Sequence, residues 1–246
     1  MNGLAIRDLS LRLNGMAVLD RLSLHVAAGE FVSILGPSGC GKSTLFRLLI
    51  GDLTPDGGEI VLNDAAPGKA FSFMPQRDAL LPWRRIIDNV TLGLEVQGTP
   101  RPEARKLAAP MLAEFGLAGF ERHYPAQLSG GMRQRAALLR TVIQGRPVQL
   151  LDEPFGALDA LTRTRIQGWF ERRWQAAGWT TLLVTHDVRE AVALSDRIYV
   201  LSPRPGHVVA EFKVTAPRPR LGRPLPATAH SIEQQILDTI FAHTGD

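Results

Sequence analysis

Gly36-Pro37-Ser38-Gly39-Cys40-Gly41-Lys42-Ser43 is the stretch on which the reading of this chain turns. It matches G-x-x-x-x-G-K-[ST] at every fixed position, follows the apolar run FVSIL (Phe31 to Leu35) and opens a helix predicted from about Lys42 to Ile50. A polyphosphate needs backbone N–H donors at close approach. Glycines therefore remove side-chain bulk, and the following helix points its positive end at the anion. Lys42 is placed to neutralise the β and γ phosphates of a bound polyphosphate and the Ser43 hydroxyl to bind Mg²⁺, with Thr44 next along the helix; alone, this loop leaves kinases, GTPases, helicases and transport ATPases open.

A second acidic site lies about 110 positions downstream, where VQLLDEP ends a predicted strand with Asp152 and Glu153. Asp152 is suited to hold Mg²⁺, directly or through water, and Glu153 to polarise an attacking water. Adjacent acids are usually just a solvated turn, a poor reading directly after an apolar strand and before Pro154. The third stretch is Leu128-Ser129-Gly130-Gly131-Met132-Arg133-Gln134-Arg135. Ser129 is a good helix N-cap, and Gly130 and Gly131 expose the first helical N–H groups, which makes another anion site. With one phosphate loop already present, this second site makes sense if it serves a nucleotide on another copy, so a face-to-face dimer is expected.

With these motifs the chain resembles the ATP-binding cassette (ABC) ATPase family, from about Leu4 to Val214. The phosphate loop stands at Gly36 to Thr44, the glutamine loop at Phe73-Met74-Pro75-Gln76 and the family signature at Leu128 to Arg135. The strand-end acids are Asp152 and Glu153, the D-loop is Gly156-Ala157-Leu158-Asp159, and the switch histidine lies in Val184-Thr185-His186-Asp187. The resemblance implies that Gln76 senses Mg²⁺ and the attacking water, that Asp159 couples two sites across the dimer, and that His186 contacts the γ-phosphate. It also implies two ATP molecules, each held between the phosphate loop of one copy and the signature of the other. Binding would close the dimer and drive separate integral-membrane permease subunits. Alone, an isolated Gln, Asp or His is more often a surface or capping residue.

Three positions depart from the family pattern. Met132 stands where glutamine is common, and Gln149 interrupts a strand expected to be buried on both faces. In the family an aromatic just before the N-terminal hairpin turn stacks on adenine. Aligning the turn Asn14-Gly15 puts Leu13 at that place, and no Tyr, Phe or Trp precedes Phe31.

Outward from the motifs, the segments LAIRDLSLRL and MAVLDRLSLHV flank Asn14-Gly15, a strong hairpin signal, and predict an antiparallel β layer. Residues from about Gln76 to Gly145 read as helical, whereas VQLL, TTLLV and RIYVL alternate with helices near Ala160 to Ala177 and Val188 to Ala193. The expectation is an α/β fold: a P-loop core with a parallel sheet flanked by helices, an antiparallel β layer and a helical subdomain. Within a single domain, about 1–75 and 146–214 form the core and about 76–145 the helical subdomain. The rest, 215–246, is a Pro-rich connection (APRPRLGRPLP) and a short amphipathic helix (SIEQQILDTIF), both read as surface elements.

Composition fits one globular unit: 246 residues, 45% hydrophobic and 21% charged. The single cysteine fits a reducing compartment. Beside a helix N-terminus and Lys42, Cys40 is expected to react with maleimides if its sulfur is accessible. The start MNGLAIRDLS shows no secretory signal pattern, and no apolar run approaches a membrane span, so a cytoplasmic protein held at the inner membrane face by its partners is expected. A net charge of +4 comes from dispersed arginines, densest from Arg204 to Arg223, without interleaved aromatics, so no nucleic acid is expected.

Ala79-Leu80-Leu81-Pro82-Trp83 and Leu201-Ser202-Pro203-Arg204-Pro205-Gly206 resemble the importer group for nitrate, aliphatic sulfonates, taurine and thiamine-precursor pyrimidines. This resemblance implies a small anionic or heterocyclic solute and, indirectly, a solute-binding protein. An exposed Trp83 would be a docking knob for a partner helix; the competing reading is a Trp that covers local core. A soluble family member acting on DNA or ribosomes is the alternative class. Such proteins usually carry tandem cassettes or long coiled-coil or zinc-bearing insertions, and the roughly eighty residues between phosphate loop and signature show neither heptads nor a Cys cluster. Intact Glu153 and His186 argue against a scaffold that switches without turnover.

Overall fold

Two sheets organise the chain in the computed structural model, which describes residues 3–62, 70–222 and 225–244. Strands β1 (Leu4–Leu13) and β2 (Met16–Val26) form the expected hairpin, with Leu13 opposite Met16. Strand β4 (Gly57–Leu62) pairs antiparallel with β1 on its other edge, giving the order β2-β1-β4. This layer buries Leu4, Ile6, Leu9 and Leu11 against the larger sheet.

The larger sheet has the order β5-β6-β7-β3-β8-β9. Its strands are β3 (Phe31–Leu35), β5 (Phe71–Met74), β6 (Val148–Asp152), β7 (Thr180–Val184), β8 (Arg197–Leu201) and β9 (Val208–Lys213). The first five in that order run parallel and β9 is antiparallel. Strands β3, β6 and β7 are buried at every residue, as continuous apolar runs covered on both faces should be. Gln149 is tolerated there because its amide is satisfied. It accepts from the Ser72 hydroxyl of β5 at 2.6 Å and donates to the Arg146 carbonyl at 2.6 Å.

Helix α1 (Lys42–Leu49) follows β3 and packs between the two sheets. Between β5 and β6 come α2 (Ile86–Val90), α3 (Leu92–Val96), α4 (Arg101–Glu114) and α5 (Gly130–Val142). Helix α5 buries Ala136, Leu139 and Val142 in one cluster with Phe31, Leu151 and Leu183 of the sheet and with Phe170 and Trp174 of α6 (Ala160–Ala177). The signature helix is thereby tied to the strands that end at the phosphate loop.

The C-terminal segment departs from its sequence reading as a surface element. Helix α8 runs Ala227–Thr244, longer than expected, and buries Ala229 and Ile236 against α7 (Val188–Leu194), β3 and β8. Ahead of it, Arg218 donates to Glu171 at 2.7 Å and to Asp196 at 2.8 Å, and lies 4.5 Å over the Trp174 ring. Arg220 is buried and donates to the Val192 carbonyl at 2.8 Å. The planar fork of Arg218 finds several acceptors at once, which offsets the loss of water, whereas the buried Arg220 leaves its Nε without a partner. Arg223 and Pro224 of the Pro-rich stretch lie outside the described residues.

Candidate functional site

Five consecutive strands of the larger sheet end at the same edge, and the chain that follows each one supplies a residue to one cavity of about 300 Å³. Gln76 comes after β5, Asp152 and Glu153 from the end of β6, and His186 after β7. Gly36, Ser38, Gly39, Gly41, Lys42, Ser43 and Thr44 come after β3, and Arg204 after β8. A crevice outside the carboxyl ends of parallel strands is where ligands bind in such sheets.

The phosphate loop is built as its sequence demands. Gly41, with φ of 109°, is the N-cap of α1, and no side chain caps the helix. A Cβ at Gly41 would lie 2.7 Å from Leu19 of β2, so both conformation and packing require glycine. The first N–H groups of α1 are left for an anion. Lys42 Nζ donates to the carbonyls of Gly36 at 2.7 Å and Pro37 at 2.9 Å, lying across the loop it would neutralise when phosphate is bound.

The acids differ in environment. Burial pushes the Asp152 carboxyl up from the usual carboxylate range, a hydrogen bond with Ser43 pulls it down, the Glu153 charge raises it and the Lys42 charge lowers it. Ser43 and Asp152 are thus already paired beside the phosphate loop, one hydroxyl and one carboxylate, and such hard oxygen donors could hold a divalent cation such as Mg²⁺. Glu153 stands in the left-handed region at φ 49°, uncommon for a residue with a Cβ. Its backbone is held there by two bonds, N–H to the Val184 carbonyl at 2.8 Å and C=O from the Gln134 side chain at 2.7 Å. His186 Nδ1 lies 3.5 Å from Glu153 Oε2.

Several sequence-derived candidates stand apart from this cavity. Ser129 caps α5 by accepting from Met132 N–H at 3.3 Å, and with Gly130 it is exposed outside the cavity of its own chain. Gly131 packs toward the Ala157 carbonyl, and Asp159 caps α6 by accepting from Thr162 N–H at 3.0 Å. Leu13 is half-buried against the core of the β layer. Pro37 does not line the cavity. Cys40 does not meet the accessibility its reactivity required: the thiol is fully buried, 3.7 Å from Lys42 Nζ and packed among the apolar side chains of the β layer and α1, where maleimide cannot reach it.

Two residues were missed. Gln134, buried in α5, bridges the signature helix to both the Glu153 carbonyl and the Ala157 N–H of the D-loop, at 2.7 and 2.8 Å. Arg204 lay in a quoted motif, but its place beside the phosphate loop follows only from β8 being the neighbour of β3.

Behind the switch, Glu190 of α7 is buried and accepts from Gln167 at 2.8 Å; burial pushes its carboxyl up to about 7. An acid with a raised folded-state value contributes stability at low pH that is lost as pH rises from its ordinary 4.5 through about 7. Glu190→Gln should therefore flatten the pH dependence of urea unfolding between pH 5 and 8, with a gain of up to about 3 kcal/mol at the upper end. An unchanged pH slope would contradict this.

Tryptophan 83 is 72% exposed, so it does not cover core. The loop that presents it is fixed from below by buried Asn89, which pairs with both N–H and C=O of Leu81 and reaches the carbonyls of Arg84 and Arg85. Among the described residues, no helix is long and apolar enough to cross a membrane.

Comparison with known proteins places this geometry in a lineage. The sequence model of the ABC transporter family matches residues 19–156. The aliphatic sulfonates import ATP-binding protein SsuB of Cupriavidus pinatubonensis is 46% identical over 99% of this chain and 79% of its own. The formylaminopyrimidine import ATP-binding protein ThiZ of Halalkalibacterium halodurans is 47% identical over 89% and 85% respectively. The dimeric, post-hydrolysis structure of the ATP-binding cassette MJ0796 bound to ADP and phosphate superposes with a TM-score of 0.78 at 29% identity, covering 86% of this chain and 98% of that one. With a family profile across more than half of it, importer ATP-binding subunits aligned along nearly all of it, and a phosphate loop facing two strand-end acids, the chain belongs to the ABC transporter family as an ATP-binding ATPase subunit.

Proposed function

We propose that the chain hydrolyses ATP as one half of a homodimer that powers import of a small anionic or heterocyclic solute, of the nitrate, sulfonate, taurine or pyrimidine type. The observation that carries the reading is the convergence of the phosphate loop, Gln76, Asp152, Glu153 and His186 on one cavity at the strand ends. Lys42 and the N-terminus of α1 bind the phosphates; Ser43 and Asp152 would hold a magnesium ion, which would supply positive charge beside the triphosphate. Glu153 accepts the proton of the attacking water, oriented by Gln76, while His186 steadies the γ-phosphate. Ser129, Gly130 and Gly131 complete the neighbouring copy's site, and Asp159 links the two. The dimeric state of the cassette MJ0796 supports this arrangement.

The names of the SsuB, ThiZ and TauB relatives support the importer assignment. Permease subunits would dock on the helical subdomain, about 76–145, with exposed Trp83 as the anchor, holding the chain at the cytoplasmic membrane face; a solute-binding protein would deliver the solute. Residues 1–75 and 146–214 would form the ATP-binding core. Purification of the tagged chain from detergent-solubilised membranes tests the partner assignment. An integral-membrane protein that co-purifies with the wild type and is lost on Trp83→Ala is expected. Ribosomes or nucleic acid in its place would contradict the reading.

A further inference from the structure

We propose that the Arg204 guanidinium, held by its edge at the rim of the phosphate loop and by the Met16 thioether, is the surface on which the adenine base of ATP rests. The proposal builds on the ATP-site reading above and assigns the base half of that site. Three elements meet there: the β1–β2 turn, the phosphate loop and the loop between β8 and β9. The last is fastened to β2 just beyond that turn, since Gly206 N–H donates to Val18 O at 2.9 Å and Gly206 O accepts from Asp20 N–H at 3.1 Å. Gly206 also approaches the Cys40 carbonyl so closely that any Cβ would overlap it. Ser202 closes the loop on itself, its hydroxyl donating to Pro205 O at 3.0 Å and accepting from His207 N–H at 3.0 Å. Arg204 is therefore carried on a rigid support and not on a free surface loop.

The guanidinium is oriented edge-on to its protein partners. Nε and Nη2 donate to the Gly39 carbonyl at 3.1 and 2.8 Å, and Nη1 lies 3.1 Å from Met16 Sδ. Edge contacts fix the plane of the group and leave its faces for something else. Arg204 is exposed, Met16 is 56% exposed, and Arg204 lines the phosphate cavity at the Gly39 side. A nucleotide whose phosphates follow the loop carries its base out past that rim. A planar cation stacks well on a purine face, and the polarisable thioether extends the apolar surface, so the pair supplies what an aromatic side chain would. Leu13, half-buried against the β layer, has no planar face to offer.

Binding of ATP and of inorganic tripolyphosphate to the full chain, measured by calorimetry, separates base from phosphate contacts. Arg204→Ala should weaken ATP roughly 3- to 30-fold and leave tripolyphosphate within about twofold. Arg204→Trp, flat but uncharged, should keep ATP within about threefold of wild type, whereas Arg204→Lys, charged but not flat, should not. In addition, the Met16 methyl resonance should shift with ATP and stay in place with tripolyphosphate. Equal losses for both ligands in Arg204→Ala, or Arg204→Trp as weak as Arg204→Ala, would overturn the assignment. Lys42→Ala serves as the separate check: if it weakens neither ligand, the phosphate-site reading itself fails, whatever Arg204 does.

Discussion

Glu153→Gln is expected to bind Mg-ATP within about threefold of wild type and to hydrolyse it at least about a hundredfold more slowly. The substitution keeps the shape and removes only the charge that accepts a proton from water. The backbone bonds that hold this strained residue, to Val184 and from Gln134, involve no atom of the Glu153 side chain, so the loop should keep its conformation. The carboxylate also lies 3.5 Å from His186 Nδ1, in the same cavity. With hydrolysis blocked and binding intact, closed dimers should accumulate, and size-exclusion chromatography with ATP and Mg²⁺ should show the shift. Turnover near the wild-type rate would remove Glu153 from the chemical step.

Most of this site was legible because its motifs are contiguous. The phosphate loop, VQLLDEP and the signature each place their residues by local chain geometry, and glycine at 41 follows from a conformation that can be inferred from the motif alone. The hairpin was legible for the same reason, Asn14-Gly15 being a local turn signal between alternating strands. What the sequence reading did not name depends on neighbours distant along the chain. Strand β5 has four residues, too few for a period to show, and exists because Phe71 to Met74 pair with Val148 to Leu151. Strands β4 and β9 are edge strands whose partners, β1 and β8, decide their existence. Gln134 reads as one more polar residue on an amphipathic helix until the D-loop is folded against it. The Pro-rich connection gave no sign of its ion pairs because the acidic partners of Arg218, Glu171 and Asp196, lie 47 and 22 residues earlier.

The split between Ser129 and the rest of the site has its own consequence. Within one chain the cap of α5 is exposed and does not line the chain's own phosphate cavity, and a Cβ at Gly130 would meet nothing within 4 Å. A helix terminus with open approach and no ligand of its own can serve a phosphate only from outside, which a two-fold dimer supplies twice. Ser129→Arg should therefore leave ATP binding by the monomer within about twofold of wild type while abolishing closure, because it places a bulky cation where the partner's phosphates arrive. Lys42→Ala should do the reverse, losing monomer binding at its own loop. Neither variant alone should turn over ATP above a few per cent of wild type, on the order of the losses typical for a missing phosphate contact. In a mixed dimer, however, both lesions fall in one composite site and the other pairs an intact Lys42 with an intact Ser129. An equal mixture, where random pairing makes half the dimers mixed, should recover about a quarter of the competent sites and a matching share of ATP-dependent cross-links. No recovery on mixing, or loss of monomer ATP binding in Ser129→Arg, would mean that the signature acts on its own chain's nucleotide.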